Sequence, residues 1–79
     1  MDVKLFYRTQ RDLASAVNRI IDDYWDEKIT EEEMINCIKI FYENNPNKFV
    51  KENKFTTIIQ QQCGKRRLEI VKRILNVDF

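Results

Sequence analysis

The sequence predicts an all-α protein, a compact domain of three or four helices with a short extended N-terminal arm. Three observations carry that expectation. Apolar residues recur at helical spacing over three separate stretches. Two of those stretches follow a threonine that has an acidic residue three positions on. The chain of 79 residues holds one Gly and one Pro, so strong breaks are few.

Val3-Lys4-Leu5-Phe6-Tyr7 alternates apolar and polar only in part. It reads as an extended arm or strand packed on the helices, and a lone strand has no partner unless a second copy supplies one. Thr9 is the first N-cap, with Asp12 in the capping-box position. Leu13, Val17, Ile20, Ile21 and Tyr24 then predict a helix from Gln10 to Trp25, with Arg11, Asn18, Arg19 and Asp22 on its other face. The second start is the clearest. Thr30 caps, Glu33 completes the box, and Ile29 with Met34 can form a hydrophobic staple. Glu31, Glu32 and Glu33 fill the first turn, where the helix dipole favours negative charge. Met34, Ile38, Phe41 and Tyr42 form the buried stripe, flanked by Ile35 and Cys37. Asn44-Asn45-Pro46 ends this helix, because Asn tolerates the left-handed C-terminal conformation and Pro blocks continuation.

Asn47 to Asn53 is polar and lysine-rich, a loop or a short helical turn anchored by Phe49 and Val50. From Lys54 the pattern is helical again to Leu75. In one straight helix, at about 100° per residue, Phe55, Ile58 and Ile59 would lie opposite Leu68, Val71 and Leu75. One small core cannot cover both faces. A break near Gly64 is therefore expected, giving helices of about 54–63 and 65–75. The competing picture is a continuous helix whose second apolar face is a dimer contact.

Residues 1–79 are too few for more than one domain. Such a chain buries only about 60–65% of its unfolded surface. No apolar run reaches the ~18 residues of a membrane span, and the start of the chain lacks a signal peptide's apolar core. A cytoplasmic setting follows. Cys37 and Cys63 are expected as free buried thiols. Ile, Asn, Lys, Phe and Tyr make up 33 of the 79 residues, and their AU-rich codons point to an AT-rich bacterial or phage genome.

The near-neutral total of +1 hides two opposed halves. Residues 1–45 hold six Lys/Arg against ten Asp/Glu, a net of −4, and residues 46–79 hold eight against three, a net of +5. Such asymmetry is an argument about partners. Gly64-Lys65-Arg66-Arg67 places three cations at a helix start, where they oppose the dipole but join amide groups suited to anions. Lys72 and Arg73 extend the basic surface. Lys65, Arg66, Arg67, Lys72 and Arg73 are thus the candidate nucleic-acid contacts, against the plainer reading of a solvated charged face. Phe55–Leu75 also has a loose helix-turn-helix outline, although Gln60 and Lys65 stand where that motif favours a small and an apolar residue.

Seven acids fall between Asp22 and Glu33. They lack the glycine and the spacing of a calcium loop, so no metal is expected. They offer instead a face for a basic partner. Tyr24, Trp25, Glu31 and Glu32 are the candidate protein-interface residues, since Tyr and Trp are enriched at interfaces; the plainer reading of Tyr24 and Trp25 is a cap on the core. The chain has no His, which removes the commonest general base and metal ligand. No nucleophile–base pair, carboxylate dyad or phosphate-cradling glycine loop is present, so neither an enzyme nor a cofactor is expected.

Tyr7-Arg8, Leu13-Ala14, Tyr24-Trp25, Ile29 to Glu33, Asn44-Asn45 and Gly64 to Leu68 together resemble short uncharacterised proteins of clostridia and their phages or mobile elements. The resemblance spans nearly the whole chain. It implies a compact helical fold in a bacterial cytoplasmic or phage setting and brings no activity with it. The leading functional expectation is a small non-enzymatic binding or regulatory protein that contacts nucleic acid through its basic C-terminal helix. The alternatives are a protein-binding module, such as a phage-encoded inhibitor acting through the acidic 22–33 face, and a homo-oligomer, a homodimer among them, in which opposed ends pair.

Overall fold

A computed structural model describes residues 4–77. Val3, the first residue of the expected extended arm, lies outside them. Thr9 opens α1 (Gln10–Trp25), its hydroxyl oxygen accepting the Asp12 N–H at 3.0 Å. The apolar stripe of α1 delivers Leu13, Ala14, Val17, Ile20 and Ile21 to the core. The helix ends in a Schellman arrangement, in which the Glu27 N–H reaches the Tyr24 carbonyl and the Lys28 N–H reaches that of Asp23. Glu27 takes the left-handed φ of 61° that glycine usually fills there.

Thr30 opens α2 (Glu31–Asn44) with a complete capping box. Its hydroxyl accepts the Glu33 N–H, and its own N–H donates to Glu33 Oε1, both at 3.1 Å. Met34, Cys37, Ile38 and Phe41 face inward, and Ile29 packs against the same core. At the far end Asn45 has φ −136°, so the expected left-handed cap does not form there. Asn45 is buried and holds the chain's start instead. Its Oδ1 accepts the Tyr7 N–H at 3.0 Å, and its Nδ2 donates to the Leu5 carbonyl at 2.8 Å and the Phe41 carbonyl at 3.0 Å. Residues 4–7 form neither helix nor strand. The Tyr7 ring meets Phe41 edge-on at 5.5 Å.

Pro46 starts a single helical turn, α3 (Pro46–Phe49), which seats the buried Phe49. A two-stranded hairpin follows, β1 (Val50–Lys51) and β2 (Lys54–Phe55), in which Val50 pairs with Phe55 and Lys51 with Lys54. Glu52 and Asn53 both have positive φ, 55° and 62°, as a two-residue primed turn requires. The sequence reading missed this hairpin and began the next helix too early. Its true cap is Thr56, whose hydroxyl oxygen accepts the Ile59 N–H at 3.4 Å and donates to the Lys48 carbonyl at 3.1 Å.

The last helix, α4 (Thr57–Leu75), is interrupted at Gly64, where φ is 81° and ψ 165°. That region of backbone space is essentially open to glycine alone. The break turns Ile59 and Cys63 on one side and Leu68 and Val71 on the other into the same core, so the continuous-helix picture is not realised. Only Gly64 leaves helical geometry. A helix-turn-helix needs a turn of about three or four residues, and that expectation is corrected here. α4 packs chiefly on α1, with α2 against both. The molecule is mostly helical, with one small sheet among the described residues. None of its described helices is long and apolar enough to cross a membrane.

Candidate functional site

The five expected cations all lie on α4 beyond Gly64, and the helix separates them. At about 100° per residue, Lys65 and Lys72 share one flank, Arg66 and Arg73 share the outward crest, and Arg67 turns toward α1. Lys65, Arg66 and Arg73 are exposed, Lys72 and Arg67 half-buried.

Arg67 does not belong to the open surface. Its Nε and Nη2 donate to Asp22 Oδ1 at 3.0 and 2.9 Å, and Nη2 also reaches Oδ2 at 3.0 Å. Its Nη1 donates to the Cys63 carbonyl at 3.1 Å. Carbonyls just ahead of a helix break are those a helix end leaves to side chains. The Gln62 carbonyl is taken in the same way by Asn18 Nδ2 at 2.8 Å. Asn18 thus braces the break from α1, Arg67 braces it from within α4 while tied to Asp22 of α1, and Arg67 leaves the set of available phosphate contacts.

The Arg66 guanidinium lies over the Trp25 ring at 5.1 Å from its centroid, and that of Arg67 at 5.8 Å. Trp25 is 40% exposed, so such a contact contributes about 0.5–1 kcal/mol. Arg66 is held loosely, and Arg67 firmly by four hydrogen bonds.

Two half-open grooves flank the crest. The first, about 470 Å³, lies between the hairpin and the outer half of α4. Lys54, Lys65 and Lys72 line it, above Phe55 and Leu68, with Gln60 and Glu69 between. Gln60 Nε2 donates to the Phe55 carbonyl at 2.7 Å. The lining surface is mainly apolar, so the lysines bring charge to a greasy cleft. Their stems can lie along its walls while the ammonium groups stay in water. Lys54 was not among the expected site residues. It sits after the Glu52-Asn53 turn, and only a weak turn dipeptide in the sequence hints at the fold-back that brings it to Lys65.

The second groove, also about 470 Å³, gathers three of the four expected protein-interface residues. Tyr24, Trp25 and Glu31 line it with Met34, Ile35, Ile70 and Ile74, and Arg73 closes one side. Glu32 is exposed beside Glu31 but does not line the groove.

Neither thiol is activated. Burial pushes Cys63 up to about 11, and the nearby Arg67 offsets only part of that rise. Its Sγ donates to the Ala14 carbonyl at 3.8 Å. Burial, and then the charge of Glu33, likewise raise Cys37. Both cysteines are buried and free. Among the described residues no group of three His, Cys, Asp or Glu side chains stands close enough to hold a metal ion. What the arrangement supplies is a cationic rim of Lys54, Lys65 and Lys72 on one groove and two thiols held protonated by burial.

Residues 4–76 match the sequence profile of a family described as a conserved hypothetical protein, with a label that suggests a clostridial source. No curated protein and no solved structure matches the chain.

Proposed function

The chain belongs to that family of conserved hypothetical proteins, a membership that carries no activity, and we propose from its surface chemistry that it is a non-enzymatic binding protein that takes nucleic acid. The contacts are Lys65 and Lys72 on one flank of α4, Arg66 and Arg73 on its crest, and Lys54 from the hairpin. The observation that supports this most is the convergence of Lys54, Lys65 and Lys72, from two separate elements, on one groove. Cations that merely solvate a helix have no reason to be met by a third from a hairpin. In this reading Arg67 positions the helix and touches no phosphate.

Fluorescence anisotropy with a labelled strand tests it. Log affinity should fall with log salt at about −0.7 to −0.9 per phosphate neutralised, or roughly −3 to −4.5 for four or five contacts. Lys65→Glu with Lys72→Glu should abolish the signal. A flat salt response, or no binding of either duplex or single strand, rejects the proposal.

The second groove favours an alternative, a protein-binding surface of the kind a phage inhibitor of a host factor would use. Tyr24 and Trp25 would anchor the partner and Glu31 and Glu32 would set its charge. Loss of a captured partner on Trp25→Ala, with nucleic-acid binding absent in the wild type, would favour this reading over the first.

A further inference from the structure

We propose that residues 4–7 are a docking edge for an extended peptide segment that is apolar at its centre and acidic at both ends. The segment adds to the chain as a β-strand at Phe6. This surface is separate from the lysine-rimmed groove, so the proposal stands or falls independently of the nucleic-acid reading.

The backbone argument starts at Asn45, a residue only 4% exposed. Its Oδ1 accepts the Tyr7 N–H at 3.0 Å, and its Nδ2 donates to the Leu5 carbonyl at 2.8 Å. One side-chain amide thereby does what a residue of a parallel neighbour strand does: it bonds the carbonyl before a residue and the N–H after it. Those two groups share one side only where the backbone between them is extended. The N–H and carbonyl of Phe6 then point the opposite way, away from Asn45. Among the described residues neither of them is hydrogen-bonded. Leu5 and Phe6 are also exposed, at 46% and 65%. An unpaired backbone edge with exposed apolar side chains is a template for another strand, and adding a strand to such an edge is a common way of holding peptides.

Charge selects the partner. Lys4 and Arg8 flank the edge, and both are exposed. The Lys4 ammonium lies 5.3 Å from the Tyr7 ring centroid, a weak contact at an exposed position. A second copy paired antiparallel about Phe6 would set each Lys4 opposite an Arg8. A parallel pair would set like residue beside like. Like charges directly opposite destabilise a strand pair, so the edge disfavours its own copy. Acids at the two flanking positions turn both contacts favourable. A β-branched residue between them suits the exposed Phe6 ring.

The test is an amide NMR titration of the intact protein with a capped peptide of three valines between two aspartates. The Phe6 amide proton should shift downfield, while that of Tyr7, already on Asn45, stays nearly in place. The same peptide with lysines for aspartates should bind about 2- to 30-fold more weakly, the range for two cross-strand charge pairs. Phe6→Pro removes an N–H that bonds nothing within the chain, so the unfolding midpoint should hold. It should bind the acidic peptide about 2- to 13-fold more weakly than Phe6→Ala, which keeps that N–H. Lys4→Glu with Arg8→Glu leaves the backbone intact and should reverse the preference between the two peptides. Equal affinity for the two peptides, equal binding by the Pro and Ala variants, or a still Phe6 amide at millimolar peptide overturns the proposal. A Phe6 amide that moves on concentrating the protein alone assigns the edge to a second copy and overturns it too. One that moves with a nucleic-acid strand and not with peptide does the same.

Discussion

α2 and the outer half of α4 begin in opposite ways. α2 opens on Thr30 with a complete capping box and three glutamates in its first turn, so side chains and helix dipole agree. The outer half of α4 opens on a glycine with a left-handed φ, followed by Lys65, Arg66 and Arg67. There the charges oppose the dipole, and the start is braced by Asn18 from α1 and by Arg67 of α4 itself. The first start is arranged for local stability. The second departs from local preference in a consistent direction, and such departures concentrate where a protein meets a partner. The lesson is that the cation run is not one patch. One of its members stabilises the break, and the rest face outward.

The comparison breaks first at Gly64. Gly64→Ala adds a methyl group that meets nothing within 4 Å, so its cost is conformational, about 1–3 kcal/mol. Urea unfolding should show a lower midpoint with an unchanged slope. A rise in stability would mean that the helix prefers to run straight and that the break is not imposed by the core.

Thr30→Ala removes the hydroxyl from the favourable start and should cost about 1 kcal/mol. Equal stability of variant and wild type would show that the box contributes nothing, and the contrast between the two starts would collapse. Arg67→Ala should cost slightly less, roughly 0.5–1 kcal/mol, because Asp22 and Arg67 are both partly exposed, at 44% and 29% of their side chains. Arg66→Ala, by comparison, should leave the unfolding midpoint nearly unmoved while weakening strand binding. If the two arginines behave alike in both measurements, the separation of bracing from binding is wrong.

The smallest effect is one of pH. The Thr30 N–H, and then its hydroxyl, hold the Glu33 carboxyl below its ordinary value of 4.5. A lowered carboxyl stabilises the fold fully above that value and stops doing so as pH falls through the folded-state one. Glu33→Gln should therefore flatten the acid side of the stability curve below about pH 4.5 and change its slope little at pH 7. An unchanged acid limb would show that the box is not formed in solution.

Much of the helical frame was legible in advance. The bounds of α1 and α2 follow from Thr9, Thr30 and the apolar stripes, because caps and 3.6-residue periodicity are local signals. The break at Gly64 was legible for a different reason: two apolar faces on one helix cannot share a small core. The hairpin was not, since two-residue strands carry no readable alternation and Glu52-Asn53 is a weak turn signal. Asn45 read as a left-handed cap and is instead a buried clamp on Leu5 and Tyr7, a role set by residues some forty positions away. Asn76, not Asn45, takes the left-handed cap.

The candidate site divides in the same way. Its cations were visible as a charge run, and Tyr24, Trp25 and Glu31 as neighbours of an acidic stretch. Nothing local joins Lys54 to Lys65, turns Arg67 onto Asp22, or puts Arg66 over Trp25.

The amino-acid order by itself determined where the helices start and stop and where charge of each sign collects, because capping, periodicity and the helix dipole act over one or two turns. Only the tertiary structure decided which cations are neutralised and which line a groove. That depends on how α4, bent at Gly64, lies across α1 and the hairpin, and such contacts between distant residues leave no periodic trace along the chain.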